Sequence, residues 1–147
     1  MTKFMTAIAV AAISVVAGLT APSAQAQVAE VPRPNAKGDF TTAKVMGNRG
    51  YYQSTKWLVV DYKPALNCRT TPNGSVRAVL MPGSVITAVF SGKEDAVVFH
   101  QGNPWLKVNA KFPLMSGTPG VCYVRSNLQY VAPISEDFVS NGVVRVP

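Results

Sequence analysis

The chain has 147 residues, with 14 Lys and Arg against seven Asp and Glu, so its formal net charge is +7. This length suits one small domain with flanking segments and excludes two ordinary domains. The positive charge favours anionic partners without naming one.

The first 26 residues have the pattern of a secretory signal peptide. Lys3 provides a positive start, residues 5–19 are apolar or small, and Ala24-Gln25-Ala26 is an A-x-A cleavage pattern. The apolar run is shorter than the roughly 20 residues of a spanning helix, which disfavours the alternative of an uncleaved membrane anchor. We expect cleavage near Ala26 and a secreted or periplasmic/extracellular mature chain without a membrane span. Removing residues 1–26 from 147 leaves 121 residues with a net charge of about +6.

Residues 27–54 are rich in Pro, Ala, Gly and Lys and show no sustained apolar period. This composition predicts a flexible or loosely docked arm. Phe40, Val45, Tyr51 and Tyr52 are candidates to pack onto the domain, so the later half of the arm is the part that we expect to be ordered.

Residues 55–134 alternate short apolar or β-branched runs with Gly, Pro and Asn turns. No helical period is sustained, so we predict an all-β domain. A small closed or half-open barrel suits this chain length better than a two-sheet sandwich. Residues 109–120 are predicted to form an irregular loop, and residues 135–147 a tail with a possible strand at 143–144. The predicted strands are 57–61, 66–69, 76–81, 85–90, 96–99, 105–108, 121–124 and 128–131. The predicted core comprises Leu58, Val60, Leu66, Val79, Ile86, Ala88, Leu106, Val108 and Val124.

Cys68 and Cys122 are the two cysteines of the chain. Export to an oxidising compartment favours a disulfide, and two cysteines allow one connectivity. The alternative is a pair of free buried thiols.

Four motifs follow one another in the order of a known family. They are Leu66-Asn67-Cys68-Arg69 with the turn at residues 72–74, the strand-turn-strand segment 79–86, Trp105-Leu106-Lys107-Val108, and the closing segment 123–131. The chain thus resembles the bacterial SH3-like (SH3b) domains of exported cell-envelope proteins over residues 57–134. The two cysteines resemble an exported variety common in cyanobacteria. The resemblance implies a small SH3-like barrel, with Cys68 in place of a core valine and reaching Cys122 across the barrel. Cys122-Tyr123 departs from the usual Gly-Trp of the family, and the 109–120 loop is longer than typical.

Aromatic and basic residues offer the best binding hypothesis. Such side chains can line a shallow groove that stacks on sugar rings or holds an extended peptide. The alternative is that the two tryptophans cap an undersized core. The candidate groove residues are Trp57, Arg69, Trp105, Lys107, Tyr123, Arg125 and Tyr130.

The residues that catalysis needs are scarce. His100 is the single histidine, which excludes a histidine cluster for zinc and leaves only mixed ligation. A dyad of His100 with Cys68 or Cys122 is disfavoured, because the two cysteines are expected to pair and no catalytic domain accompanies the module. The acidic pairs at 94–95 and 136–137 are typical of solvated turns. We predict no catalytic residues, no metal and no cofactor.

The sequence therefore favours an exported, non-enzymatic SH3b binding module. Its expected partners are cell-wall peptide, an anionic polysaccharide or an envelope protein. Nucleic acid is disfavoured because the basic residues are dispersed and the chain is exported. The alternative function is a structural subunit of an extracellular layer or appendage, which self-associates by adding strands from the arm and from residues 132–147 to neighbouring copies.

Overall fold

The computed structural model describes residues 31–47, 50–61, 65–111 and 114–135. These residues form β-strands and no helix, which confirms the all-β prediction. The expected signal peptide and the possible strand at 143–144 lie outside the described residues.

The described strands fall into a separate hairpin and one larger sheet. The hairpin consists of β1 (Lys44–Gly47) and β2 (Gly50–Gln53). The larger sheet contains β3 (Lys56–Val59), β4 (Leu66–Arg69), β5 (Val76–Leu80), β6 (Val85–Ala88), β7 (Val97–His100), β8 (Asn103–Ala110), β9 (Leu114–Gly117), β10 (Gly120–Arg125) and β11 (Val131–Pro133).

The larger sheet is antiparallel and runs in the order β11-β3-β6-β8-β10-β4-β5-β9, with β7 also paired to β8. β8 pairs with β10 along one edge, whereas β7 and β6 pair with successive parts of its other edge. Among the described residues, the end strands β11 and β9 do not pair with each other. The pairing is thus that of a half-open sheet, and the buried residues of its strands form one core cluster.

The predicted turns have the expected backbone conformations. Asn73 adopts a positive φ of 59°, and the Thr70 N–H donates to the Ser75 carbonyl at 2.9 Å to close the hairpin between β4 and β5. In the next turn, Gly83 has φ 80° and the Ser84 N–H bonds to the Met81 carbonyl at 3.1 Å. This is the type II geometry that Pro82-Gly83 favours.

The prediction of an irregular loop at residues 109–120 is wrong, because this segment contains a strand. β8 continues to Ala110, β9 pairs with β5, and β10 begins at Gly120. Gly117 makes this pairing possible, since it has φ 89° and a Cβ there would approach the Arg77 carbonyl oxygen to 2.3 Å. Gly117 is tolerated in β9 because this is an edge strand at the end of the sheet.

Six of the nine predicted core residues are buried, and the other three were assigned to the wrong face. Because successive strand residues face opposite sides, a shift of one residue exchanges the two sets. The chain buries Trp57 and Val59 instead of Leu58 and Val60, and it buries Ala78 and Leu80 instead of Val79. The confirmed core residues are Leu66, Ile86, Ala88, Leu106, Val108 and Val124.

Trp57 shows why the first strand has this orientation. Its ring packs edge-on against Phe40, with centroids 5.1 Å apart, and its Nε1–H donates to the Ser54 carbonyl at 2.9 Å. The inward face of β3 thus satisfies both the apolar body and the polar atom of the indole.

Cys68 and Cys122 form the predicted disulfide, with their Cα atoms 5.5 Å apart and both side chains fully buried. β4 and β10 are neighbouring strands, joined also by the pairing of Arg69 with Tyr123. The bond therefore links adjacent strands, and the expectation that it spans the barrel is wrong. A disulfide is compatible with an oxidising extracellular or periplasmic location.

Part of the expected arm is packed into the domain. The Phe40 N–H donates to the Ser126 carbonyl at 2.8 Å, and the Ser126 hydroxyl donates to the Phe40 carbonyl at 3.0 Å. Phe40 is 1% exposed and belongs to the core cluster. Residues 38–43 are therefore not loosely docked, because an aromatic side chain and backbone hydrogen bonds hold them.

Asp95 holds the next part of this segment. Its carboxylate accepts hydrogen bonds from the Ala43 N–H at 2.8 Å, from the Val97 N–H at 2.9 Å and from the Thr42 hydroxyl. The solvated turn predicted at residues 94–95 is thus half correct, since Glu94 is exposed whereas Asp95 anchors the segment.

We predict that reducing the disulfide lowers the free energy of unfolding by about 2–4 kcal/mol, because the unfolded chain gains conformational freedom. Urea unfolding with and without reductant measures the change. The double variant Cys68→Ala/Cys122→Ala should be insensitive to reductant. Free thiols in the unreduced protein would contradict the prediction.

We predict that Phe40→Ala destabilises the domain by about 3–5 kcal/mol, since it removes a buried aromatic side chain from the core. The matched control is Tyr51→Ala, which removes an exposed aromatic ring from the same segment and should change stability by about 0.5 kcal/mol or less. Equal, small effects in thermal or urea unfolding would show that Phe40 is not part of the core.

Candidate ligand-binding pocket

A surface pocket of about 420 Å³ brings together four of the seven predicted groove residues: Arg69, Trp105, Arg125 and Tyr130. They come from β4, β8, β10 and the turn before β11, so the fold assembles the pocket from elements far apart in the sequence. The other lining residues are Asp61, Ala65, Leu66, Asn67, Asn73 and Asn103.

Hydrogen bonds between loops position the walls of this pocket. The Asn73 side-chain amide donates to the Gln101 side-chain carbonyl at 3.4 Å, which joins the β4–β5 turn to the β7–β8 turn. At the opposite side, the Tyr130 carbonyl accepts from the backbone N–H of Val60 at 2.9 Å and of Asp61 at 3.4 Å. The turn before β11 is thus held against the end of β3.

Arg69 lies on the outer face of β4 and is partly buried. Its Nη1 donates to the Gly74 carbonyl at 2.7 Å, which holds the guanidinium beside the turn. No acidic side chain of the described residues lies within ion-pair distance of Arg69. Its charge is therefore available to a bound anion.

Arg125 differs from Arg69 because protein groups already occupy its guanidinium. It donates to the Pro104 carbonyl and forms an ion pair with Asp39 at 3.2 Å. Its guanidinium carbon lies 5.8 Å from the ring centroid of Trp105. Arg125 consequently helps to form the wall of the pocket, and its charge is already paired with Asp39.

Trp105 is 5% exposed, and its Nε1–H has no hydrogen-bond partner in the described part of the chain. So little exposure leaves no open ring face for stacking on a sugar, which corrects that part of the groove hypothesis.

Three predicted groove residues do not line the pocket. The prediction of Trp57 as a groove residue is wrong, because its side chain is fully buried in the core. Tyr123 and Lys107 pair with each other across β10 and β8, so their side chains share the outer face with Arg69. Lys107 donates to the Ser91 hydroxyl at 3.2 Å, which directs it away from the pocket lining.

Sequence reasoning missed the asparagines of the pocket. Asn67 alternates with buried Leu66 and Cys68, so its position on the outer face was predictable. Asn73 and Asn103 lie at two separate turns, and no sequence pattern indicates that these turns meet.

Groups for catalysis or metal binding are scarce in the structure. Both cysteines are in the disulfide, so neither supplies a thiolate while the bond is intact. Residues 31–47, 50–61, 65–111 and 114–135 contain no group of three or more His, Cys, Asp or Glu that could hold a metal ion. These residues also contain no helix long and apolar enough to cross a membrane.

A smaller pocket of about 270 Å³ lies where residues 35–41, ahead of β1, meet the β7–β8 hairpin. Asn35, Lys37 and Asp39 line one side, and Phe99 and Pro104 line the other. None of the predicted groove residues takes part, so this pocket offers less for the binding hypothesis than the larger one.

Comparison with protein-family models, curated proteins and solved structures finds no match for this chain. Membership of the SH3b family thus stays a prediction, supported by four motifs in order.

Proposed function

We propose that the protein is an exported, non-enzymatic binding module of the SH3b type that attaches to cell-wall peptide, polysaccharide or an envelope protein. The observation that carries the proposal is the convergence of Arg69, Trp105, Arg125 and Tyr130 in one pocket. Concave sites with a few convergent polar groups are the usual places for ligand binding.

The chemistry of the pocket suits a polar or anionic ligand. Two guanidinium groups and three asparagine side chains provide hydrogen-bond donors around its walls. The net charge of about +6 expected for the mature chain would also concentrate it near an anionic cell surface.

Export is supported by two independent features. The amino terminus has the signal-peptide pattern with cleavage near Ala26, and the domain contains a buried disulfide. A binding module in the cell envelope fits both.

We predict that the mature protein co-sediments with isolated cell walls at low and moderate salt. Arg69→Met should reduce the bound fraction about tenfold, because it removes the unpaired charge of the pocket. Lys107→Met is the matched control, since it removes a cation from the same face outside the pocket, and it should retain most binding. Folded protein that stays in the supernatant at both salt concentrations would contradict the proposal.

A second candidate function is that of a structural subunit that self-associates. The β1–β2 hairpin favours it, because it exposes 59% of Met46, 68% of Tyr51 and 56% of Tyr52. An isolated two-stranded hairpin is only marginally stable in water, and contact with a neighbouring copy would cover these side chains.

If the hairpin mediates assembly, the triple variant Met46→Ser/Tyr51→Ser/Tyr52→Ser should sediment as a monomer while the unchanged protein forms oligomers. Analytical ultracentrifugation measures the difference. Phe99→Ser, which changes an equally exposed ring elsewhere, is the control and should leave the oligomers intact. A monomeric unchanged protein would overturn this candidate.

A further inference from the structure

Arg69 is a guanidinium held in place at the wall of a pocket with no acidic partner among the described residues. We propose that the pocket binds the free carboxylate at the end of a peptide, with Arg69 as the group that recognises it. This inference rests on the proposed function and specifies which ligand chemistry the same pocket takes.

The geometry of Arg69 is suited to a carboxylate. A guanidinium has five N–H donors in a planar fork, and the bond from Nη1 to the Gly74 carbonyl uses one of them. That bond restrains the side chain, so a ligand pays less ordering entropy when it binds the remaining donors. Paired N–H groups on one guanidinium match the two oxygens of a carboxylate.

The asparagines supply what the rest of a peptide end needs. Side-chain amides both donate and accept hydrogen bonds, as the peptide groups of a bound chain require. Asn67 and Asn103 are exposed and line the pocket. The Asn103 amide donates one hydrogen bond to the Gln101 backbone carbonyl at 3.3 Å, and the Asn73 amide donates one to the Gln101 side-chain carbonyl, so each keeps a second N–H and its carbonyl oxygen. Arg69 therefore selects the charged end, and the amides match the peptide group next to it.

The burial of Trp105 favours a peptide end over an acidic polysaccharide. Its ring is too buried to serve as a stacking platform for a sugar. A peptide with one terminal carboxylate places its charge at Arg69 and an uncharged segment elsewhere.

The two tryptophans of the chain provide a reporter and an internal control. The Trp105 Nε1–H belongs to a pocket residue and has no hydrogen-bond partner among the described residues. The Trp57 Nε1–H donates to the Ser54 carbonyl at 2.9 Å within the core. A ligand in the pocket should shift the indole N–H resonance of Trp105 and leave that of Trp57 unchanged.

The experiment is a titration of the ¹⁵N-labelled mature protein, followed by NMR, with N-acetyl-alanyl-alanine and with its carboxy-terminal amide. We expect the free acid to shift the Trp105 indole signal and to bind about tenfold or more tightly than the amide, because charge-assisted hydrogen bonds are lost in the amide. A methyl glucuronide in a third arm presents a carboxylate on a sugar, and we expect it to bind more weakly than the acid peptide.

Two variants connect the preference to Arg69. Arg69→Met should abolish the difference between acid and amide, whereas Lys107→Met should preserve it. An unchanged Trp57 indole signal shows in each case that the core is intact.

The outcomes separate this inference from the proposed function. Equal binding of acid and amide, or no shift by any probe, overturns carboxylate recognition, while co-sedimentation with cell walls separately decides whether the protein is a wall-binding module. Tighter binding of the glucuronide than of the acid peptide overturns the peptide end as the ligand. An acid preference that persists in Arg69→Met overturns the role of Arg69.

Discussion

The pairing of β8 along both of its edges is the constraint on which the core and the pocket both depend. Because its residues alternate between faces, Leu106, Val108 and Ala110 enter the core while Trp105 and Lys107 face outward. β10 continues both faces with the same alternation, and the disulfide then joins β10 to β4. One side of this three-strand unit therefore stabilises the domain, and the other side carries the pocket.

Residues 38–43, which pack onto the core through Phe40, connect the stability of the domain to the larger pocket. Asp39 accepts hydrogen bonds from Arg125 at 3.2 Å and from the Asn127 side chain at 3.0 Å. Arg125 in turn covers Trp105, so a residue of the expected arm helps to shape a wall of the pocket without lining it. The segment that precedes β1 is thus a structural support of the larger pocket.

Most of the strands and the turns between them follow from local sequence. Pro82-Gly83 and Asn73 adopt the conformations that their chemistry favours, and the β-branched runs form strands close to the predicted positions. The errors occur where local preference is equal on both faces. Residues 57–60 are all apolar, so nothing in that run indicates which alternate pair is buried; the contact of Trp57 with Phe40 decides it.

The sequence by itself determined the all-β class, the one possible disulfide pair, and an outer face carrying Arg69, Trp105, Lys107, Tyr123 and Arg125, because these depend on residue chemistry and on the two-residue period of a strand. Only the tertiary structure decided which of those residues share a pocket and that Asn67, Asn73 and Asn103 line the same pocket. It also decided that Trp57 is buried in the core and does not reach the outer face. The reason is physical: face and turn are local properties, whereas a pocket depends on long-range strand pairing and on which loops meet.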